Sequence, residues 1–445
     1  MESKPHQDDK YLQAARRIFN HIAEVADLHF SVRLWDGAIV PLGDHANPEI
    51  YISIRNPGVL GTVLRRPTLE NILLQYATGG IDFRGTDVIS FYEVLRQRGK
   101  RSSGISSKRL KKTISKSFIL RQALLFLFAP KESTQYNSFS GDETGRKQTS
   151  RNETSFIRFH YDISNEFYRL FLDPEMQYSC GYFTDWSNSL EQAQHDKLEM
   201  ICRKLRLQPD DRFLDIGCGW GGLVCHAAKH FNVLAHGVTL SQEQFDFAQT
   251  KVKKLGLEDR VTVELCDYRE LNSEYDKISS IGMYEHVGID NYPAYFKKVR
   301  SLLRDRGVFL NHGITRRAKA SKRRFNRITP GRRFILKYIF PGSELDHIGH
   351  SLEVMEACKF EIHDVEAWRE HYGLTSRIWC QRLEENREQA ITLVGEERYR
   401  MWIAYLAGVS FAFQDGSLLI FQTVATKHGR KGPSTMPPSR EDLYV

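Results

Sequence analysis

The stretch FLDIGCGWGGL, Phe213–Leu223, places four glycines, Gly217, Gly219, Gly221 and Gly222, within six residues, after an apolar run and before a helical one. Backbone that bare can approach a ligand closely, and the helix that starts there offers it unpaired N–H groups. A tight, ligand-free strand-to-helix turn is the plainer alternative. The spacing satisfies G-x-G-x-x-G, which dinucleotide enzymes and methyltransferases share, and no Gly-Lys-Ser/Thr follows, so this is not a Walker-type phosphate loop. A nicotinamide enzyme calls for an acid roughly 20 residues on, at the end of the second strand, to hold a ribose. Here that strand ends Gly237-Val238-Thr239-Leu240-Ser241 without one. The acids stand elsewhere: Asp215 just before the glycines and Asp267 after the third strand, the arrangement of an S-adenosylmethionine site.

Outward from the glycines, RFLDIG, NVLAHGVTL, RVTVELCD, KISSIGM and GVFLNHGI read as strands, with GLVCHAAKHF, SQEQFDFAQTKVKKLG and YPAYFKKVRSLLRD as helices between them. Such alternation predicts an α/β fold, a mostly parallel sheet with helices on both faces and its ligands beyond the carboxyl ends of the strands. This Rossmann-like domain is expected over 155–430, with a C-terminal tail at 431–445. Ahead of it, HFSVRLW alternates as a strand, Asp36-Gly37 supplies a hairpin turn, EIYISIRN is a second strand and NPGVLGTVLRR a short helix. Residues 1–128 are therefore expected to form a small α+β domain ending in a basic helical stretch, Lys108–Phe128. The polar, Gly/Ser/Thr-rich segment 129–154 reads as a flexible linker.

With 445 residues, 41% hydrophobic and 27% charged, the chain has the make-up of a globular protein large enough for two domains. Seven scattered cysteines without a CxxC pair argue against a disulfide framework and a zinc knuckle. The start MESKPHQDDKYLQAARR has no apolar core for a signal peptide, and no run reaches the roughly 18 apolar residues of a membrane span. The expectation is a cytoplasmic protein. A net charge of +8 favours acidic partners. Nine of its basic residues fall between Arg316 and Arg333 with no acid among them, and KRLKKTISK, Lys108–Lys116, is a second cluster. Both are either solvated surface or an attachment to an anionic membrane face, worth about 1 kcal/mol per basic residue close to it. Nucleic acid is not the expected partner, because no Asn/Asp-Pro-Pro-Tyr motif follows the strand before Glu285.

From Arg158 to Lys427 the chain resembles the family of cyclopropane-fatty-acyl-phospholipid synthases and mycolic acid cyclopropane synthases. The matching residues are HYDISNEFYRLFLDPEMQYSCGYF, LEQAQHDKLEMICRKLRLQPDDRFLDIGCGWGG, GVTLSQEQ, MYEHVG and NHGI. The N-terminal VRLWDG, ISIRNP and GGIDFRG look like the extra domain of the full-length bacterial phospholipid enzymes. The resemblance implies S-adenosylmethionine as co-substrate, an unsaturated acyl chain of a membrane phospholipid as acceptor, a peripheral position on the inner membrane face, and a possible homodimer. It implies no metal, and no ligand cluster stands in the sequence.

Methylene addition starts with attack of the alkene on the sulfonium methyl. The resulting carbocation must lose a proton from the new methyl before a ring can close. The site therefore needs a dry apolar tunnel, aromatic faces toward the cation and a weak base. In the family that base is thought to be bicarbonate, and the resemblance implies a cradle of Cys180, Glu285, His312, Ile314 and Tyr372, with Glu285 orienting the ion or accepting its proton. Taken singly, His312 could be a structural hydrogen-bonder and Glu285 a carboxylate at a helix N-terminus. A nucleophilic Cys180 is disfavoured, since this methyl transfer needs no covalent enzyme intermediate. For the methyl donor the resemblance implies Tyr178, Ser179, Asp215, Gly217, Cys218, Gly219, Gly221, Thr239, Leu240, Gln244, Asp267, Tyr268 and Arg269. Val409 stands where several family members have cysteine and is read as packing.

Three further readings remain open at the level of sequence. The same cation could lose another proton and give a methyl- or methylene-branched chain. Small-amine N-methylation is a second, because plant alkaloid enzymes resemble this family. A lipid-binding protein on a decayed methyltransferase fold is a third.

Overall fold

The computed structural model describes residues 5–101, 116–132, 136, 163–429, 432–434 and 436–444. The basic cluster up to Ser115, most of the linker and the first residues of the HYDISN match lie outside the described residues.

The chain divides into two compact units, one of residues 1–137 with Leu383–Ala407 and one of Ser138–Arg382 with Gly408–Val445. In the first, β1 (Phe30–Arg33), β2 (Ile39–Pro41), β3 (Asn47–Ile54) and β4 (Ile81–Arg84) form a sheet ordered β2-β1-β3-β4. The β1–β2 hairpin turns at Asp36-Gly37 as expected: Leu34 N–H reaches Ala38 O at 2.9 Å, and Gly37 takes φ +85°. Asn56 caps the helix Pro57–Arg65 by accepting from Val59 N–H. Helix Pro5–Ala26 buries Tyr11, Ala14, Ala15 and Ile18 against Phe30, Val32 and Phe91 in this unit's core.

This unit takes in Leu383–Ala407, a segment that falls within the span 155–430 expected as the Rossmann-like domain. The reason is a buried charge. Arg400 is 6% exposed, with Nη1 3.0 Å from Asp82 Oδ1 and Nη2 2.9 Å from Glu396 Oε1. An arginine so desolvated is stable only where its carboxylates are.

The second unit is built on a seven-stranded sheet of β5 (Arg212–Ile216), β6 (Leu234–Thr239), β7 (Val261–Leu265), β8 (Tyr275–Ile281), β9 (Leu303–Arg316), β10 (Phe360–Ala367) and β11 (Leu418–Lys427), ordered β10-β11-β9-β8-β5-β6-β7. β5 through β9 pair in parallel, while β11 runs antiparallel to both β9 and β10. Apolar clusters line both faces: Val224, Ala227 and Ile201 belong to one, Phe296, Val299 and Tyr292 to another. A sheet covered on both faces explains why its strands are near-continuous apolar runs. The order reverses between β8 and β5, and that switch point places the ligand crevice at the ends of these two strands. Asp215 and the glycines follow one of them, and Glu285 the other.

Among the described residues, no helix is long and apolar enough to cross a membrane.

Candidate active site

A cavity opens at the carboxyl ends of β5, β6 and β8. Of the residues expected to hold the methyl donor, Tyr178, Ser179, Asp215, Gly217, Cys218, Gly219, Thr239, Leu240, Gln244, Asp267 and Tyr268 line it. Asp215 is 3% exposed, and burial lifts its carboxyl to about 6 even though Ser279 Oγ donates to it at 2.6 Å. Thr239 Oγ1 donates to Gln244 Oε1 at 2.8 Å, which fixes that amide at the cavity wall. Asp267 is held ionised by Arg269, whose Nε lies 2.9 Å from Oδ1.

Two of the expected binding residues are not in the lining. Arg269 turns its guanidinium back onto Asp267, so it steadies that wall rather than forming it. Gly221 sits behind the loop as N-cap of the helix Gly222–Phe231, at φ +79°, where an added Cβ would lie 3.0 Å from Ala248 Cβ. Its smallness serves helix packing. The cavity also recruits residues that sequence reasoning passed over, among them Lys197, Trp220, Met283 and His286. Lys197 is 1% exposed, donates to Ser179 Oγ at 3.0 Å and Gln177 Oε1 at 2.5 Å, and is lowered to about 8 by burial.

The five residues of the expected anion cradle gather beside this cavity. Ser179 in the lining precedes Cys180, and Met283 and His286 in the lining flank Glu285. Cys180, Trp368 and Phe413 form a buried cluster against which Ile314, Tyr372, Tyr182 and Val409 pack. Tyr372 lies against Phe413, ring centroids 4.7 Å apart, and the His312 ring meets Trp368 edge-on at 5.2 Å. Val409 therefore packs within this cluster.

Cys180 is fully buried, its thiol pushed well above the usual range, with Sγ 3.2 Å from Gly181 O. A thiol so held is a poor nucleophile. Glu285 lies in the first turn of the short helix Tyr284–Val287 after β8 and is 6% exposed, and desolvation raises its carboxyl to about 7. Its Oε1 accepts from Ile314 N–H at 2.6 Å. Ile314, expected as part of the anion cradle, thus has its N–H already engaged by Glu285 itself.

Among the described residues, Glu285 Oε2 and His312 Nε2 are buried here without a hydrogen-bond partner, as is Trp368 Nε1. Burial, with Lys197 and Lys204 adding, pushes His312 well below its ordinary value, so the ring is neutral. An orphaned acceptor and an orphaned ring nitrogen among aromatic faces fit a small group that can both donate and accept. Bicarbonate is such a group. Among the described residues there is no set of three His, Cys, Asp or Glu side chains able to hold a metal.

Comparison with known proteins decides the family. The model of the mycolic acid cyclopropane synthetase family matches residues 148–423. The chain belongs to this family. A probable fatty acid methyltransferase of Pseudomonas putida is 35% identical over 425 residues, spanning 94% of this chain and 97% of that protein. The cyclopropane-fatty-acyl-phospholipid synthase of Escherichia coli K12 is 39% identical over 273 residues, 61% of this chain and 68% of its own length. Among solved structures, mycolic acid cyclopropane synthase CmaA1 complexed with SAH and CTAB superposes with a TM-score of 0.57 at 35% identity, covering 62% of this chain and 98% of CmaA1. As a mycolic acid cyclopropane synthetase family member, the chain is an S-adenosylmethionine-dependent lipid methyltransferase, and its cavity at the strand ends is the expected place for the methyl donor.

Proposed function

We propose that this protein transfers a methyl group from S-adenosylmethionine to a carbon of the double bond in an unsaturated fatty-acyl chain, giving a methyl- or methylene-branched lipid. One observation carries the reading: the unpartnered Glu285 Oε2 and His312 Nε2, buried beside an aromatic cluster next in sequence to residues that line the donor cavity. Support for the acyl acceptor comes from the P. putida relative, similar over nearly the whole chain and named a probable fatty acid methyltransferase.

The chain's own residues divide the work. The cavity holds the donor. Tyr372 and Phe413 offer aromatic faces to the positive charge that develops on the acyl chain, and with Trp368 they exclude water that would quench it. Glu285, with a carboxyl near 7, is the group able to take up the proton the cation must lose, directly or through a bound partner. Glu285, His312, Cys180 and Tyr372 would hold bicarbonate, which when bound supplies a weak base that resists methylation. The lipid carrier we propose is a membrane phospholipid, reached from an anionic membrane surface.

Ring closure to a cyclopropane is the second reading, favoured by that same pair of orphaned atoms and by the similarity to the E. coli synthase. The two diverge only in which proton leaves. Expression in a bacterium lacking its own cyclopropane synthase, followed by mass spectrometry and proton NMR of fatty-acid methyl esters, separates them. The proposal expects one added carbon with branched-methyl or vinylidene signals. Upfield cyclopropane signals would establish ring closure instead, and unchanged lipids despite S-adenosylmethionine binding would overturn both.

A further inference from the structure

The register of the sheet sets three polar side chains in one row beneath the active pocket. Glu366 on β10 pairs with Gln422 on β11, and Gln422 pairs with His312 on β9. Directly paired residues present their side chains on the same face, so the row ends at the ring of the proposed site. Helix Leu190–Leu205 lays Lys204 across it. Lys204 is 1% exposed, pairs with Glu366 and donates to Gln422 Oε1 at 2.7 Å, with Nζ 5.1 Å above the Trp368 ring. Gln422 is fully buried, and its Nε2 lies 3.0 Å from His312 Nδ1.

The chemistry of these groups leaves one arrangement of protons. An ammonium has only donors, so Gln422 must turn its oxygen to Lys204 and its NH2 to His312. The ring nitrogen facing that NH2 can only accept, so Nδ1 carries no proton and the neutral ring carries it on Nε2. Nε2 is the atom left without a partner in the pocket.

We propose that Lys204 and Gln422 are positioning residues that lock His312 as the neutral Nε2–H tautomer, making it a hydrogen-bond donor to the reacting site and excluding it as the base. Both ring nitrogens are then committed, one accepting from Gln422 and one already protonated, so the proton from the acyl cation goes toward Glu285. This assignment rests on the function proposed above for its catalytic consequence, but the tautomer itself is independent of turnover.

The test is long-range proton–nitrogen NMR on histidine-labelled full-length protein, with the His312 signal identified by its loss in His312→Gln. Wild-type protein should show Nδ1 unprotonated and Nε2 protonated from about pH 6 to about pH 9. An Nδ1–H ring, or a ring that titrates in that range, overturns the proposal without any variant having to fold. In Gln422→Glu the carboxylate accepts from both Lys204 and the ring, so the proton should move to Nδ1 and kcat should fall at least about 10-fold. S-adenosylmethionine affinity, read by calorimetry, should stay unchanged and thereby report an intact fold. Lys204→Met, which frees the amide to flip, should give a mixture of tautomers and an intermediate kcat. A reversed tautomer with undiminished kcat would overturn the catalytic part. Wild-type protein with the expected tautomer but no lipid product would instead count against the proposed function alone.

Discussion

Glu285 is ionised with difficulty because only one of its oxygens is paired in a desolvated pocket, and its carboxyl moves from 4.5 to about 7. Two outcomes follow with opposite signs. As a base it works only when ionised, so kcat/KM should fall as pH drops through about 7, a limb read directly from initial rates and absent from S-adenosylmethionine binding. For stability, a carboxyl whose folded pKa is raised contributes nothing unfavourable below about 4.5. It becomes progressively unfavourable from there to about 7, and is fully so above. Glu285→Gln keeps an oxygen to accept from Ile314 N–H but carries no charge. It should abolish lipid methylation while raising unfolding free energy by up to about 3 kcal/mol above neutral pH, measured by denaturant titration. A variant that is both inactive and less stable would show that the ionised carboxylate is structurally required.

The helix that follows the glycines illustrates how an element is set by one backbone position. Gly221 caps it at φ +79°, with Ala248 of the next helix 3.0 Å from where a Cβ would stand. Gly221→Ala should therefore destabilise the protein by about 1–3 kcal/mol and weaken S-adenosylmethionine binding through displacement of the loop, both measurable on the purified protein. Gly219→Ala meets no neighbour and should cost only its backbone strain, φ +55°. These glycines and the five parallel strands were legible because a sheet buried on both faces writes itself as apolar runs punctuated by bare turns. The antiparallel edge was not. β10, FEIHDVEA, buries only Phe360 and contains four charged residues or histidine in its eight, so little in it reads as core. Because β10 and β11 went unseen, so did Gln422 and its row. The only sequence trace of that row is Lys197 and Lys204, two lysines seven apart on the face of a helix whose other members, Leu190, Ala193, Ile201 and Leu205, are apolar. A lysine at a core position is a signal of a buried partner, and it was there to be read.

Across the whole molecule the +8 charge is distributed, and the structure sorts its basic stretch 316–333 into two kinds of cation. Arg316 is internal: Nε donates to Leu345 O at 2.7 Å and its guanidinium covers the Phe325 ring at 3.5 Å. Arg332 lies 3.7 Å from Glu344. Lys319 and Lys322, both exposed, line the same surface cavity. Charge-neutralising the entire stretch would thus break structure as well as remove charge, and the informative substitution is the narrow one. If the protein meets its lipid at an anionic membrane, Lys319→Glu with Lys322→Glu should lower binding to vesicles containing anionic lipid by about 10-fold or more at low salt, at about 1 kcal/mol per charge. The loss should shrink as ionic strength rises, because the interaction is screened over about 10 Å at 0.1 M salt. S-adenosylmethionine affinity should not change, since neither lysine lines the donor cavity. A second contribution would then come from the first unit, where Leu120, Leu124, Leu127 and Phe128 are exposed, Phe128 by 83%. Burying such side chains in a bilayer is apolar and not screened by salt. Phe128→Asp should accordingly weaken vesicle binding at high salt as much as at low, and flotation assays run at both separate the two contributions. Vesicle binding indifferent to both sets of substitutions would place the lipid contact on another surface and leave the basic stretch as solvated exterior.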